Sequence, residues 1–147
     1  MVLMHRKDWT LLAIAFAKGA PLRPVQLQKS LFLLGQERSQ YLTDFYEFEA
    51  YYWGPFDKAI FEDAEALEIE GLVRILRPPR RSWKEYVATE EGLQRARQLG
   101  SSAPEEAVSY LAIAVSWARG LSFQDLVSQI YEHYPEFGVN SLFRETA

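Results

Sequence analysis

The sequence predicts an α+β, mostly helical domain with a winged-helix-like core and a C-terminal helical extension. Three observations predict it. Two apolar-striped helical segments near the N-terminus lead into an aromatic, alternating run over 45–52. That run meets a Gly54-Pro55 corner, followed by an acidic helical stretch that Gly71 ends. Two short strand-like segments, 72–76 and 83–88, then flank an Arg- and Pro-rich tip. The order helix, helix, strand, helix, two-stranded hairpin is that of a winged-helix module.

The elements follow in order. Asp8 is an expected N-cap for a helix over 9–18, which Gly19 and Pro21 would end. Trp9, Leu12, Ala13, Phe16 and Ala17 recur at helical spacing, and Leu11 and Ile14 widen the face, as in a core helix. Pro24 suits a helix start, and a second helix over 25–37 carries Leu27, Leu31 and Leu34 as its stripe, with Phe32 beside it. Gln26, Gln28, Lys29 and Ser30 are expected on its solvated surface, where such groups could also meet phosphate or bases. The strand over 45–52 should be half buried. Gly54 can take a positive φ, Pro55 would set the first turn of the next helix, and Trp53 and Phe56 would anchor the corner.

The third helix is expected over 56–70, with Phe56, Ile60, Ala64 and Leu67 inward. Asp57, Glu62, Asp63, Glu65, Glu68 and Glu70 face a single Lys58 outside. In a DNA-reading winged helix this element enters the major groove, and so acidic a face is repelled by phosphate. Arg74, Arg77, Arg80, Arg81 and Lys84, with Trp83 among them, form the one dense basic cluster, placed on the wing. It could contact phosphate or an acidic protein surface, or it could be a solvated tip balancing the acidic helix. Thr89 caps a helix over 90–99, and 100–102 reads as a linker. Two further helices follow, the first with Val108, Leu111, Ala112, Val115 and Trp117, the second with Phe123, Leu126, Val127, Ile130, Tyr131 and Tyr134. The apolar tail from Phe137 to Arg144 should dock. The 147 residues form a single domain, 1–100 as core and 101–147 as extension.

Composition limits the function classes. Hydrophobic residues are 48% and charged residues 24%, ordinary for a folded globular chain. With 16 basic and 20 acidic residues the net charge is −4, so any nucleic-acid binding must come from a local patch. The absence of cysteine excludes disulfides, thiolate catalysis and Cys-ligated zinc. His5 and His133 lie near opposite ends, without carboxylates at ligand spacing. No phosphate-binding Gly-rich loop, nucleophile elbow or dinucleotide fingerprint is present, and the paired carboxylates of the third helix read as a solvated face. No cofactor, metal or catalytic residue is expected. Residues 1–8 enter a helix without a signal-like pattern, and no apolar run approaches the roughly 20 residues of a membrane span. A cytoplasmic, prokaryotic setting is the expectation.

The run Leu27-Gln28-Lys29-Ser30-Leu31-Phe32, then Tyr52-Trp53-Gly54-Pro55-Phe56, Glu70-Gly71-Leu72-Val73 and Ala88-Thr89-Glu90-Glu91-Gly92, resembles the YwgA-like and SocA-like (Panacea domain) proteins of bacteria and phages. The likeness spans roughly 9–99. It departs at Ser30, where the family prefers Leu, and at Trp53, where Tyr is usual. The resemblance implies a winged-helix-like fold and antitoxin work through protein contact. The expected function is thus a non-enzymatic interaction module, an antitoxin or phage-defence regulator. Its partner would be a toxin, a defence component or a second copy. Tyr51, Tyr52, Trp53 and Phe56 are the candidate protein-binding residues, since aromatic side chains dominate interface energetics. The alternative is a DNA-binding transcription regulator using Lys29, Arg74, Arg77, Arg80, Arg81, Trp83 and Lys84.

Overall fold

The computed structural model describes residues 4–142, folded as an α+β, mostly helical unit with two small antiparallel sheets. In order these are α1 (Arg6–Ala15), α2 (Pro24–Glu37), β1 (Glu49–Tyr51), β2 (Gly54–Phe56), α3 (Ala59–Ile69), β3 (Val73–Leu76), β4 (Glu85–Ala88), α4 (Glu90–Ser102), α5 (Glu105–Arg119) and α6 (Phe123–His133). Short 3-10 turns lie at Ser39–Tyr41 and Pro135–Gly138. Among the described residues no helix is long and apolar enough to cross a membrane. Residues 1–3 of the expected helical entry, and Phe143 and Arg144 of the expected docking tail, lie outside the described residues.

The core forms around α1, whose residues Trp9 to Ile14 are all buried. Full burial of each large apolar side chain contributes about 1.5–3 kcal/mol, so this short helix anchors several neighbours at once. It begins a turn earlier than its sequence pattern predicts. His5 is the N-cap, and Asp8 sits inside the first turn, where its carboxylate accepts the His5 N–H at 3.0 Å. A carboxylate there still serves the positive helix end, which is why Asp8 signalled a start but misplaced it. Lys18 (φ 55°) and Gly19 (φ 87°) then turn the chain toward α2.

The expected linker at 100–102 is helical. α4 runs through Ser102, with Leu99 buried, and the turn to α5 comes at Ala103 and Pro104. The core continues into α5 through Leu111 and Val115, so the extension shares the core of residues 4–99. Its inward face is Ala107, Leu111, Ala114, Val115 and Ala118, and Trp117 is left exposed. The alanines let α5 lie close against α2. A second cluster joins Phe32 of α2 to Ala118, Leu126 and Ile130, and Phe32 also meets Phe48, Tyr134 and Phe137 edge-on.

The segment before the first sheet departs from expectation in a different way. Only Glu49–Tyr51 of the expected strand pairs, with β2, in the register Glu49↔Phe56, Ala50↔Pro55 and Tyr51↔Gly54. Residues 45–48 make side-chain contacts in place of a ladder. The Glu47 N–H goes to the Asp57 carboxylate at 2.9 Å. The buried Tyr46 hydroxyl donates to Asp63 at 2.6 Å and lies 2.7 Å from the Thr10 hydroxyl, while Arg6 pairs with Asp63 at 3.1 Å. Burial, and next the Asp63 hydrogen bond, hold that tyrosine far above its ordinary pKa.

The tail docks through Phe137, which packs on the Phe32 cluster, and through polar groups after it. The Leu142 N–H donates to the Tyr52 carbonyl at 2.9 Å and the Asn140 amide to the Ala50 carbonyl at 3.0 Å, covering the outer edge of β1. Val139 and Leu142 remain exposed.

Two glycine- and serine-level details yield tests. Thr89 caps α4 by accepting the Gly92 N–H at 3.0 Å, donates to the Gly71 carbonyl at 2.7 Å, and places Gly92 directly under Leu72. A Cβ at Gly92 would overlap the Leu72 carbonyl oxygen. Gly92→Ala should cost about 1–3 kcal/mol through forced backbone displacement, read by denaturant unfolding. An unchanged midpoint would show that the two segments do not touch. Conversely, the Ser30 hydroxyl is fully buried with no hydrogen-bond partner among the described residues. Ser30→Ala should raise stability by about 1 kcal/mol, since it removes an unsatisfied polar group.

Candidate functional site

The Gln-Lys-Ser run of α2 is where sequence and structure differ most. Gln26, Gln28, Lys29 and Ser30 are buried, at 6%, 2%, 3% and 0% exposure, so none belongs to a solvated phosphate-binding surface. Periodicity failed here because β2, α5 and α6 cover α2 on several sides, and backbone groups satisfy Gln26, Gln28 and Lys29 but not Ser30. The Gln28 amide donates to the Asp57 carbonyl at 2.9 Å and its oxygen accepts the Asp57 N–H at 3.0 Å, a two-point clamp. The Lys29 ammonium or amine donates to the Pro55 carbonyl at 3.1 Å.

Pro55 therefore does not start a helix. It lies in β2 opposite Ala50, its missing N–H falls on a three-residue strand, and its carbonyl receives Lys29. Gly54 takes φ 101°, as its place at the corner suggested. A Cβ there would sit 3.3 Å from Lys29 Cε and 3.4 Å from the Tyr131 ring, so glycine serves both the turn and the close approach. α3 begins only at Ala59, because Asp57 is held by Gln28, Glu47 and Ala59.

Above this clamp lies a groove of about 530 Å³. Its floor is the start of α2, with Arg23, Val25, Gln28 and Lys29. Tyr51, Trp53, Gly54 and Phe56 of the first hairpin form one wall, Phe61 and Trp83 another, and Phe123 at the start of α6 closes an end. The rings are coupled. Tyr51 stacks on Tyr52 and on Phe56, Phe56 meets Phe61, Phe61 stacks on Tyr86, and Trp53 meets Phe123 edge-on at 5.7 Å. The expected protein-binding residues thus come together, although Tyr51, Tyr52 and Trp53 are 43–47% exposed and are no internal packing anchors. Trp83 joins them, with the Arg23 guanidinium 5.9 Å and the Arg81 guanidinium 5.5 Å from its ring centre. Arg23, Phe61 and Phe123 were not foreseen. They reach the groove from three separate elements, and only the tertiary packing reveals them.

The wing is less cationic than its composition implies. Arg81 pairs with Glu85 at 3.1 Å and Lys84 lies 3.9 Å from Glu65 of α3. Arg74, Arg77 and Arg80 are exposed and belong to no ion pair among the described residues. The acidic helix is also partly committed. Asp63 binds Tyr46 and Arg6, Glu68 accepts the Ile75 N–H at 2.9 Å, and Glu70 pairs with Lys7. Asp63, Glu68 and Glu70 are thus engaged in contacts within the fold, while Glu62 and Glu65 remain exposed.

No protein-family model matches the chain, and neither a curated protein nor a solved structure matches it.

Burial pulls the Lys29 amine down from 10.5 to about 7. In the unfolded chain it titrates near its ordinary value, so between about pH 7 and 10 the unfolded state binds more protons and stability rises with pH. The penalty is fully present below that window and is relieved across it. Tyr86, raised to about 12 by burial, works oppositely above about pH 10, where unfolded tyrosines ionise. Between about pH 7.5 and 9 the chain should therefore gain up to about 1.4 kcal/mol per pH unit relative to Lys29→Met, measured by urea unfolding. Parallel profiles for the two proteins would mean that the Lys29 amine stays charged.

Proposed function

We propose that the protein is a non-enzymatic, winged-helix-like interaction module that captures an apolar, acidic segment of a partner protein in the aromatic groove. The order of two helices, a hairpin, α3 and the β3–β4 hairpin favours the winged-helix reading, with β3–β4 as wing and α3 where a reading helix would lie. One observation carries the functional reading. The chain is net acidic, yet among the described residues the groove is lined by aromatic rings, Arg23 and Lys29, and by no aspartate or glutamate. Aromatic and arginine side chains in a concave site supply large contact area and orientation together. A groove of this size accommodates two or three apolar side chains, and Arg23 beside Trp83 offers a bidentate partner for a carboxylate. The resemblance to the Panacea domain proteins makes a toxin or defence component the kind of partner proposed.

Selection from a random peptide library tests the reading. Enriched peptides should carry aromatic or aliphatic residues next to Asp or Glu. Trp53→Ala should weaken them by at least about tenfold, the loss of about 1.4 kcal/mol or more expected for an interface hot spot. Arg23→Ala should weaken acidic peptides more than their amide counterparts. Enrichment of basic peptides, or binding indifferent to Trp53, overturns the proposal.

A second reading is DNA binding through the wing, favoured by Arg74, Arg77 and Arg80, which are exposed and outside the ion pairs. It no longer includes Lys29, which is buried. It requires duplex affinity whose logarithm falls with log salt at about −0.9 per phosphate contact. No binding at about 50 mM salt excludes it.

A further inference from the structure

Lys29 has features that peptide capture does not use. It is 3% exposed, yet it lines the floor of the groove. Its amine takes part in no ion pair among the described residues, and its one protein acceptor is the Pro55 carbonyl. An ammonium carries three N–H donors, and a single acceptor here satisfies one of them. A neutral amine, with two N–H bonds and a lone pair, fits this setting at lower cost. Gly54 adds room, since a Cβ there would lie 3.5 Å from the amine nitrogen. Lysines desolvated in apolar pockets are the ones that act as nucleophiles toward carbonyl groups.

We propose that Lys29 is a carbonyl-capturing amine that forms a reversible imine with small apolar, aromatic aldehydes or ketones held between the rings of the groove. This goes beyond partner capture and does not depend on it. The nitrogen lone pair attacks the carbonyl carbon, a C–N bond forms, and the C=O π pair moves to oxygen. Proton transfer from nitrogen to oxygen gives a neutral carbinolamine. Loss of its hydroxyl with one further nitrogen proton releases water and leaves a C=N bond, with no oxidant or reductant involved. Hydrolysis reverses every step.

The titratable groups around the amine are few. Arg23 and Tyr51 line the same groove, and Tyr131 of α6 stands across Gly54. The carboxylate of nearby Asp57 is held by the Glu47 and Ala59 N–H groups. Solvent therefore supplies and removes the protons of dehydration, and the site captures carbonyl compounds without turning them over. Burial, which lowers the amine to about 7, keeps much of it unprotonated at neutral pH. Exposed lysines are then almost wholly charged, a difference in free-amine fraction on the order of a hundredfold or more.

Benzaldehyde with sodium cyanoborohydride at about pH 7.5, followed by peptide mapping, decides the question. Lys29 competes with four other lysines, Lys7, Lys18, Lys58 and Lys84. The terminal α-amine, which titrates near neutrality in any chain, is counted separately. The expected result is one benzyl adduct on Lys29, formed at least about thirtyfold faster than on any other lysine. Its rate should rise through about pH 7 and level off, and glyceraldehyde, a polar aldehyde, should show no such preference. Mapping of the unsubstituted chain is sufficient even if Lys29→Met does not fold. Adducts spread evenly over the five lysines, or none on Lys29, overturn the proposal. Peptide binding could persist in either case, so the two proposals fail separately.

Discussion

The clamp between α2 and the segment after the first hairpin is the constraint on which the site depends. Gln28 holds both backbone groups of Asp57, and Lys29 holds the Pro55 carbonyl from beneath. β1 and β2 are three residues each, and an isolated hairpin of that length is marginal in water. Hydrogen bonds from buried helix side chains replace the missing ladder. Because Asp57 is fixed, its carboxylate can receive Glu47 and Ala59, which sets the irregular approach to β1 and the start of α3. A buried amide with both ends satisfied adds rigidity, and a half-satisfied one would destabilise by about 1–3 kcal/mol.

Electrostatics follow from the same packing. The acidic character of α3 is partly absorbed in contacts that tie it to α1, β3 and the wing: Asp63 to Arg6, Glu68 to the Ile75 N–H, Glu65 near Lys84. The exposed pairs among these contribute little to stability, roughly 0–1 kcal/mol each. Their larger effect is on recognition, since they reduce the free charge of both the helix and the hairpin. Outside the ion pairs among the described residues stay a strip of arginines on the wing, Glu62 of α3, and Arg23 in a groove lining that holds no described carboxylate.

The aromatic residues connect these parts. The stacked and edge-on series from Tyr52 through Tyr51, Phe56 and Phe61 to Tyr86 runs from the first hairpin across α3 to β4. Each such contact adds about 0.5–1.5 kcal/mol beyond its buried area, enough to hold two small sheets in fixed relation. Tyr51, Tyr52 and Trp53 remain substantially exposed at one end of it. Aromatic surface that packing has not consumed is the usual material of an interface.

Several features were legible in the sequence because they are local. Six helices and the β3–β4 hairpin follow from apolar period, Pro24 and Thr89 as helix starts, and Gly71 as a stop, whereas β2 falls where the third helix was expected to begin. The positive φ of Gly54 and the nearness of Tyr51, Trp53 and Phe56 also follow from short-range geometry. The fate of the polar residues of α2 did not. A Gln-Lys-Ser run reads as solvated in any helix considered alone, and only the strand, α5 and α6 laid over it turn it into a buried clamp. Likewise Arg23, Phe61 and Phe123 are far apart in sequence and share a groove only through tertiary packing. Chain chemistry determined which segments are helices and which residues are aromatic or charged. Packing alone decided which charges stay in water, because desolvation depends on what covers a side chain and not on its neighbours in sequence.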